Sequence, residues 1–209
     1  MPSRNIVKQY VDETYYHAYN RGVNRRNIFV DDQDYRVFLN LLKRYLGEEI
    51  AYDKSGRPYP NYFKDIELLA YCLMPNHFHL FLYQIHERSM SKFMQSAMTS
   101  YTRYFNKRHG RLGGLFQDRF KASDIQTEAY FSHISRYIHL NPIDIGATWR
   151  DYPYSSLKYY LGDKKASWVK PHKIIEYFDD SAANYLEFLN DYVGYKLELD
   201  EVKHELANT

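Results

Sequence analysis

Along the 209-residue chain the spacing of apolar and aromatic positions changes several times, and each change predicts an element. Tyr15 to Tyr19 (YYHAY) reads as a short strand ending at the turn signal Asn20-Arg21-Gly22. Residues 31–46 place Tyr35, Phe38, Leu39, Leu42 and Leu46 at helical spacing, with Asp31 or Asp32 as cap and Gly47 as stop. Residues 52–62 (YDKSGRPYPNY) are rich in turn formers and read as an excursion loop. Two apolar runs, Ile66 to Leu73 and Phe78 to Tyr83, flank Met74-Pro75-Asn76 and predict a hairpin of buried strands. A helix beginning at Ser89 or Ser91 and closing at Gly110 carries Phe93, Met94, Ala97, Met98, Tyr101 and Phe105 on one face. Leu115 to Ile125 reads as a further strand. A helix capped by Thr127 follows and must end near Asn141, because Pro142 disfavours helical geometry in the residue before it.

The resulting order is strand, helix, strand, strand, helix, strand, helix. It predicts an α+β fold: a ferredoxin-like (split βαβ) antiparallel sheet with helices on one face. From Trp149 the text changes character. DYPYSSLKYYLGD and the acidic helical pattern of 172–192 predict a small helical C-terminal extension, residues 149–209, on a main domain of residues 1–148.

Composition narrows the class. The length fits one domain with a small appendage, and the single Cys72 excludes an intramolecular disulfide framework. No apolar run approaches the ~20 residues of a membrane span, and the opening MPSRNIVKQYVDE lacks an apolar signal region, so a cytoplasmic protein without membrane partners is expected. The net charge of +2 conceals an asymmetry. Residues 91–121 carry seven basic side chains against Asp118 alone, whereas residues 176–209 carry nine acidic ones against Lys196 and Lys203. With 23 Tyr and 12 Phe, the chain is rich in rings suited to base stacking, although Tyr also serves ordinary cores.

Two segments carry candidate chemistry. In MPNHFHLFL (Met74 to Leu82), His77 and His79 are two apart on a strand, so both imidazoles project from the same sheet face. Two adjacent imidazoles supply part of a divalent metal site, or are simply polar residues on a solvated strand face. In SHISRYIHLNP (Ser132 to Pro142), Tyr137 and Asn141 are four apart and share a helix face. Asn141 offers a carbonyl oxygen to a hard cation, or merely ends the helix before proline. A tyrosine phenol, with a pKa of about 10, is a poor nucleophile at neutral pH and needs a nearby cation to favour phenolate. Metal held by His77, His79 and Asn141, one turn from Tyr137, meets that need. Such a site would form a covalent phosphotyrosine and release a free 3′ hydroxyl without ATP. Tyr130 is the rival nucleophile on the same helix, but its i+4 residue, Ile134, cannot ligate metal. His133 shares the Tyr137 face and is either a proton shuttle or a satisfied surface histidine.

YCLMPNHFHLFL, SKFMQSAMTSYTRYFNKRHGRLGGLFQDRFKA, SRYIHLNP and DYPYSSLKYYLG, in that order, resemble the REP-associated tyrosine transposases, the single-tyrosine HUH transposase-like proteins. The resemblance covers roughly residues 14–162. It implies a His-hydrophobic-His motif at His77, Phe78 and His79, a nucleophile at Tyr137, and a third metal ligand at Asn141, where related insertion-sequence transposases usually have Gln. It further implies a ferredoxin-like catalytic core in residues 1–148, Mg²⁺ or Mn²⁺ as cofactor, and cleavage and joining of single-stranded DNA beside palindromic hairpins. Related insertion-sequence enzymes act as dimers with swapped helices, so either a monomer or a homodimer is compatible with the resemblance.

Arg103, Lys107, Arg108, Arg111, Arg119 and Lys121 either line a groove for a phosphate backbone, with Tyr101, Tyr104 or Phe120 stacking on bases, or form a solvated helix face with core aromatics. A second polar cluster, Asn20, Arg21, Asn24, Arg25 and Arg26, follows the first strand. The alternative from another class is a non-catalytic nucleic-acid-binding module using a ferredoxin-like stacking platform, although no RNP1 signature is present. A third reading is a metal-dependent phosphodiesterase in which water attacks and Tyr137 only orients the phosphate.

Overall fold

The structure, a computed structural model, describes residues 11–125 and 128–193, with the side chains of residues 128–130 outside the description. Four strands, β1 (Thr14–Arg21), β2 (Ile66–Met74), β3 (His77–Gln84) and β4 (Lys121–Ile125), form one antiparallel sheet in the order β2-β3-β1-β4. The crossovers are α1 (Asp32–Leu46) and α2 (Ser89–Arg108). This is the expected ferredoxin-like arrangement, and each half is joined by one helix.

Local chemistry explains the elements. Asp31 caps α1 by accepting from the Asp34 N–H, and Gly47 ends it. Pro75 and Asn76 form the two-residue turn between β2 and β3. The last strand is shorter than the pattern predicts, starting at Lys121 rather than Leu115. Residues 115–120 are instead tied to the end of β1, where Val23 donates to the Leu115 carbonyl and Gln117 to the Arg21 carbonyl. At Asp118 the side chain accepts from the next residue's N–H, a local bond that competes with a strand ladder.

The two crossover helices bury one sheet face, where Tyr16, Ala18, Leu68, Phe78, Leu80 and Leu82 meet Phe38, Leu42, Phe93 and Tyr101. The other face is covered by α3 (Glu128–Leu140), which packs Phe131, Ile134 and Ile138 on Ala70, Cys72 and Phe81. A bulge between Leu68 and Ala70 lets Leu69 and Ala70 both join this second core. Pro142 does not release the chain at the end of α3. A 3-10 turn, Asn141–Ile145, continues from it with proline in its first positions, where the missing N–H costs nothing.

Beyond Trp149 the chain runs along the free edge of β2. Leu73 donates to the Tyr154 carbonyl, Ser156 to Tyr71 and Lys170 to Leu68, so the exposed edge is covered. Short helices α4 (Leu157–Tyr160) and α5 (His172–Ile175) follow, then α6 over residues 182–193. The continuous helical pattern expected for 172–192 is broken at Asp179 and Asp180, both in left-handed conformation (φ 54° and 55°), which aspartate tolerates better than most residues. Thr127, the expected cap of α3, lies outside the described residues, as does the acidic tail from 194 onward. Among the described residues no helix is long and apolar enough to cross a membrane.

Candidate active site

Strand alternation sends Phe78, Leu80 and Leu82 into the α1/α2 core and His77, His79 and Phe81 toward α3. Antiparallel pairing sets Tyr19 opposite His79 and Arg21 opposite His77, so His17, Tyr19 and Arg21 of β1 share the histidine face. The His77 and His79 rings are 5.0 Å apart at 89°, and His17 stacks on His79 at 5.0 Å and 23°. Above them α3 delivers Tyr137, whose ring lies 5.3 Å from His79 and 5.8 Å from His17, edge-on to both. Tyr137 therefore meets the histidines of its own chain.

Asn141 is buried at the end of α3 and donates from Nδ2 to the Tyr137 carbonyl at 2.8 Å. Its side chain also interacts with the His77 ring and the Tyr137 hydroxyl. His77 Nδ1 is 2.6 Å from Asn76 Oδ1, and His79 Nδ1 is 2.8 Å from His17 Nε2. The remaining ring nitrogen of His79, Nε2, is buried and has no hydrogen-bond partner.

Burial sets the protonation states. It pushes His17 down to about 4, carries His79 well below the ordinary histidine value, and lowers His77 with help from the Arg21 charge. All three imidazoles are neutral at pH 7 and keep a lone pair. Tyr137 is 44% exposed as a residue, yet partial burial raises its phenol. Asp144 and Tyr19 push in the same direction, while Asn141 and Arg21 oppose them by favouring phenolate.

These residues line one open cleft of about 1050 Å³, whose rim carries Arg21, Arg25, Arg119, Lys121 and Arg136. The basic residues predicted from sequence divide here. Arg21, Arg25, Arg119 and Lys121 face the cleft. Asn20 also borders it, but is buried with its amide donating to the Asp118 carbonyl, which pins the 115–120 segment. Arg103 and Lys107 are exposed on α2 and are not part of the cleft lining. Tyr104 and Arg108 belong to a separate strut. The Tyr104 hydroxyl donates to Asp34 at 3.0 Å, and Arg108 bonds both Asp31 and Asp34 at 2.7 Å, so their hydrogen-bonding capacity is committed to joining α2 to α1. Tyr101 is buried and donates to the Ile28 carbonyl, which removes it from base stacking.

Sequence reasoning missed His17, Tyr19, Asp144 and Arg136 in the cleft. The alternation Tyr15, His17, Tyr19, Arg21 was visible in the text, but not which strand it would pair with. His133 lines the cleft beside Arg136, whose Nη2 donates to His133 Nδ1 at 2.5 Å. His139 faces away, buried between the Tyr185 hydroxyl and Ser156 Oγ at 2.7 Å each; there it locks α3 to α6 and α4. The Tyr130 side chain lies outside the described residues.

The loop after β1 depends on Gly22. A Cβ there would fall 2.2 Å from the Arg26 carbonyl oxygen and 2.9 Å from Ile28 Cγ2, too close for the present path. That path places Asn24 and Arg25 in left-handed conformation and Arg25 at the cleft. Gly22→Ala should cost about 1–3 kcal/mol of stability, read as a lowered thermal midpoint, because the clash is with backbone.

Residues 61–141 match the family described as "Transposase IS200 like", a stretch that contains His77, His79, Tyr137 and Asn141. No curated protein matches the sequence. Among solved structures the chain is similar to the REP-associated tyrosine transposase bound to a REP hairpin, at 19% identity and a TM-score of 0.53 over 80% of this chain and 92% of that one. It is also similar to a putative transposase from Deinococcus radiodurans R1, at 17% identity and a TM-score of 0.40 over 64% and 95%. Residues 61–141 thus resemble the IS200-like transposases, and the fold of the chain is that of the REP-associated tyrosine transposase.

Proposed function

We propose that this protein is a metal-dependent endonuclease and strand transferase acting on single-stranded DNA beside hairpins, with Tyr137 as its nucleophile. The observation that carries the reading is the position of Tyr137 edge-on to His79, whose ring lies 5.0 Å from that of His77, in a basic-rimmed cleft. The hairpin-bound transposase of the same fold supports a hairpin substrate.

The residues fit a divalent metal. His79 offers a buried nitrogen with no protein partner, His77 has its Nδ1 engaged so that Nε2 is the nitrogen left to ligate, and Asn141 supplies an amide oxygen nearby. Among the described residues no group of three His, Cys, Asp or Glu side chains is set to hold an ion; in this reading the third donor is the amide oxygen of Asn141. Two imidazoles and a carbonyl oxygen would hold a divalent cation; of the Mn²⁺ and Mg²⁺ that the resemblance implies, the harder Mg²⁺ is the poorer match to two nitrogen donors. When bound, such a cation supplies positive charge that polarises a phosphate and favours phenolate.

The chain's own residues do the rest. Arg21, Arg119 and Lys121 draw the phosphate backbone into the cleft. Tyr137 loses its phenolic proton, and the phenolate oxygen forms a bond to phosphorus as the bond from phosphorus to the 3′ oxygen breaks. The departing 3′ oxygen takes up a proton, leaving a 3′ hydroxyl and a 5′-phosphotyrosine. No water is consumed, so the bond energy is retained for rejoining. Asn141 fixes the end of α3 by donating to the Tyr137 backbone carbonyl, and Asn141 and Arg21 both favour the phenolate.

The test is incubation of the full chain with labelled hairpin oligonucleotides, taken from palindromes flanking the gene, in Mn²⁺ or Mg²⁺. A denaturing gel and peptide mapping then locate any adduct. The expected result is a protein-DNA adduct at Tyr137 that EDTA abolishes. Hairpin binding with no adduct across the substrate set overturns the reading in favour of a binding module, and cutting with no attached protein identifies water as the nucleophile.

A further inference from the structure

His17, which lies outside the ligand set read from the sequence, touches it directly. Its Nε2 sits 2.8 Å from Nδ1 of His79, and both rings are buried. One of these two nitrogens carries the shared proton, and the choice decides what the far side of His79 offers. If His17 donates, the proton of neutral His79 is on Nε2, which becomes a buried N–H with no acceptor, an unfavourable arrangement. If His79 donates from Nδ1, its Nε2 presents a lone pair toward the cleft.

The neighbouring histidine is already arranged the second way. Asn76 Nδ2 donates to the Arg25 carbonyl at 3.2 Å, which orients the amide so that Oδ1 faces His77 Nδ1. That oxygen can only accept, so the His77 proton sits on Nδ1 and its lone pair on Nε2. An acceptor behind each ring gives the two histidines the same polarity, and a cation needs both lone pairs.

We propose that His17 is a positioning residue that accepts the Nδ1 proton of His79 and thereby turns the Nε2 lone pair of His79 toward a divalent cation. The proposal rests on the metal-dependent reading above and deepens it, since it names the residue that orients one ligand. Hydrogen bonds of this kind behind a ligating histidine change metal affinity because they select the tautomer and hold the ring.

Two measurements on the full chain test it. In the metal-free protein, ¹⁵N NMR of labelled histidines should show His79 protonated on Nδ1; protonation on Nε2 overturns the proposal. In calorimetric titration with Mn²⁺ at fixed pH, His17→Phe should weaken binding about 10- to 100-fold, whereas His17→Gln, whose Oε1 reaches the position of Nε2, should stay within about threefold of the natural chain. A His17→Phe protein that binds Mn²⁺ as tightly as the natural chain overturns the proposal. Thermal melts and metal-free hairpin binding show whether each variant is folded; if His17→Phe does not fold, the His79 tautomer decides alone. Unaltered Mn²⁺ binding in His79→Ala would instead remove the metal-dependent reading, and the tautomer would still report the role of His17.

Discussion

Replacing Tyr137 by Phe removes the covalent protein-DNA adduct, an expected drop of about 10⁴-fold or more in adduct formation, because no other group holds the position of the attacking oxygen. The substitution deletes one atom. The ring remains, edge-on to His17 and His79, and Asn141 still bonds the backbone carbonyl of residue 137. The basic rim is untouched, so hairpin binding should stay within about twofold, as for most substitutions that disturb no packing. Gel-shift and adduct assays on the same preparation separate the two effects. Adduct formation at the natural rate in Tyr137→Phe would sink the assignment and turn attention to Tyr130.

Replacing Asp34 by Ala has the largest expected effect on stability, about 2–3 kcal/mol, at the low end for breaking a buried ion pair because Arg108 reaches solvent. Asp34 is buried and gathers four donors: the Val30 N–H at 2.9 Å, the Tyr104 hydroxyl, Arg108, and His109 at 3.0 Å. Removing the carboxylate orphans the Val30 N–H, Tyr104 and His109 and leaves Arg108 with Asp31 alone, so the junction between α1 and the end of α2 loosens. That junction leads into the segment carrying Arg119, so DNA affinity should fall as well. Chemical denaturation measures the first effect; an unchanged midpoint would contradict it.

The same carboxylates make stability depend on acid. Burial alone would raise Asp34, but bonds from Val30, Arg108, His109 and Tyr104 outweigh it, and the folded-state value is lowered. Arg108 beside Asp31 lowers that group to about 2. A lowered folded-state value means that the contribution is present above the unfolded carboxylate value of about 4 and is lost as pH falls toward 2. Melts across pH 2–5 should show a decline that is shallower in Asp34→Ala.

Local periodicity determined much of the framework. The strand and helix spacings, Asp31 and Gly47 at the ends of α1, and the Pro75-Asn76 turn are all set by neighbours in sequence, so they are legible without the fold. The common face of His77 and His79 follows from a period of two, and that of Tyr137 and Asn141 from one helical turn. Their meeting across the sheet does not. It depends on β1 pairing with β3 and on which face α3 covers, contacts between residues tens of positions apart whose register no local pattern encodes. For that reason the role of His17 is not legible in YYHAY, since only the Tyr19-to-His79 register brings its imidazole to His79. The basic run over residues 91–121 looks uniform in the sequence for the same reason. Tertiary structure sent Arg119 and Lys121 to the cleft and committed Tyr104 and Arg108 to Asp34, because a buried carboxylate must be paired and the nearest donors were theirs.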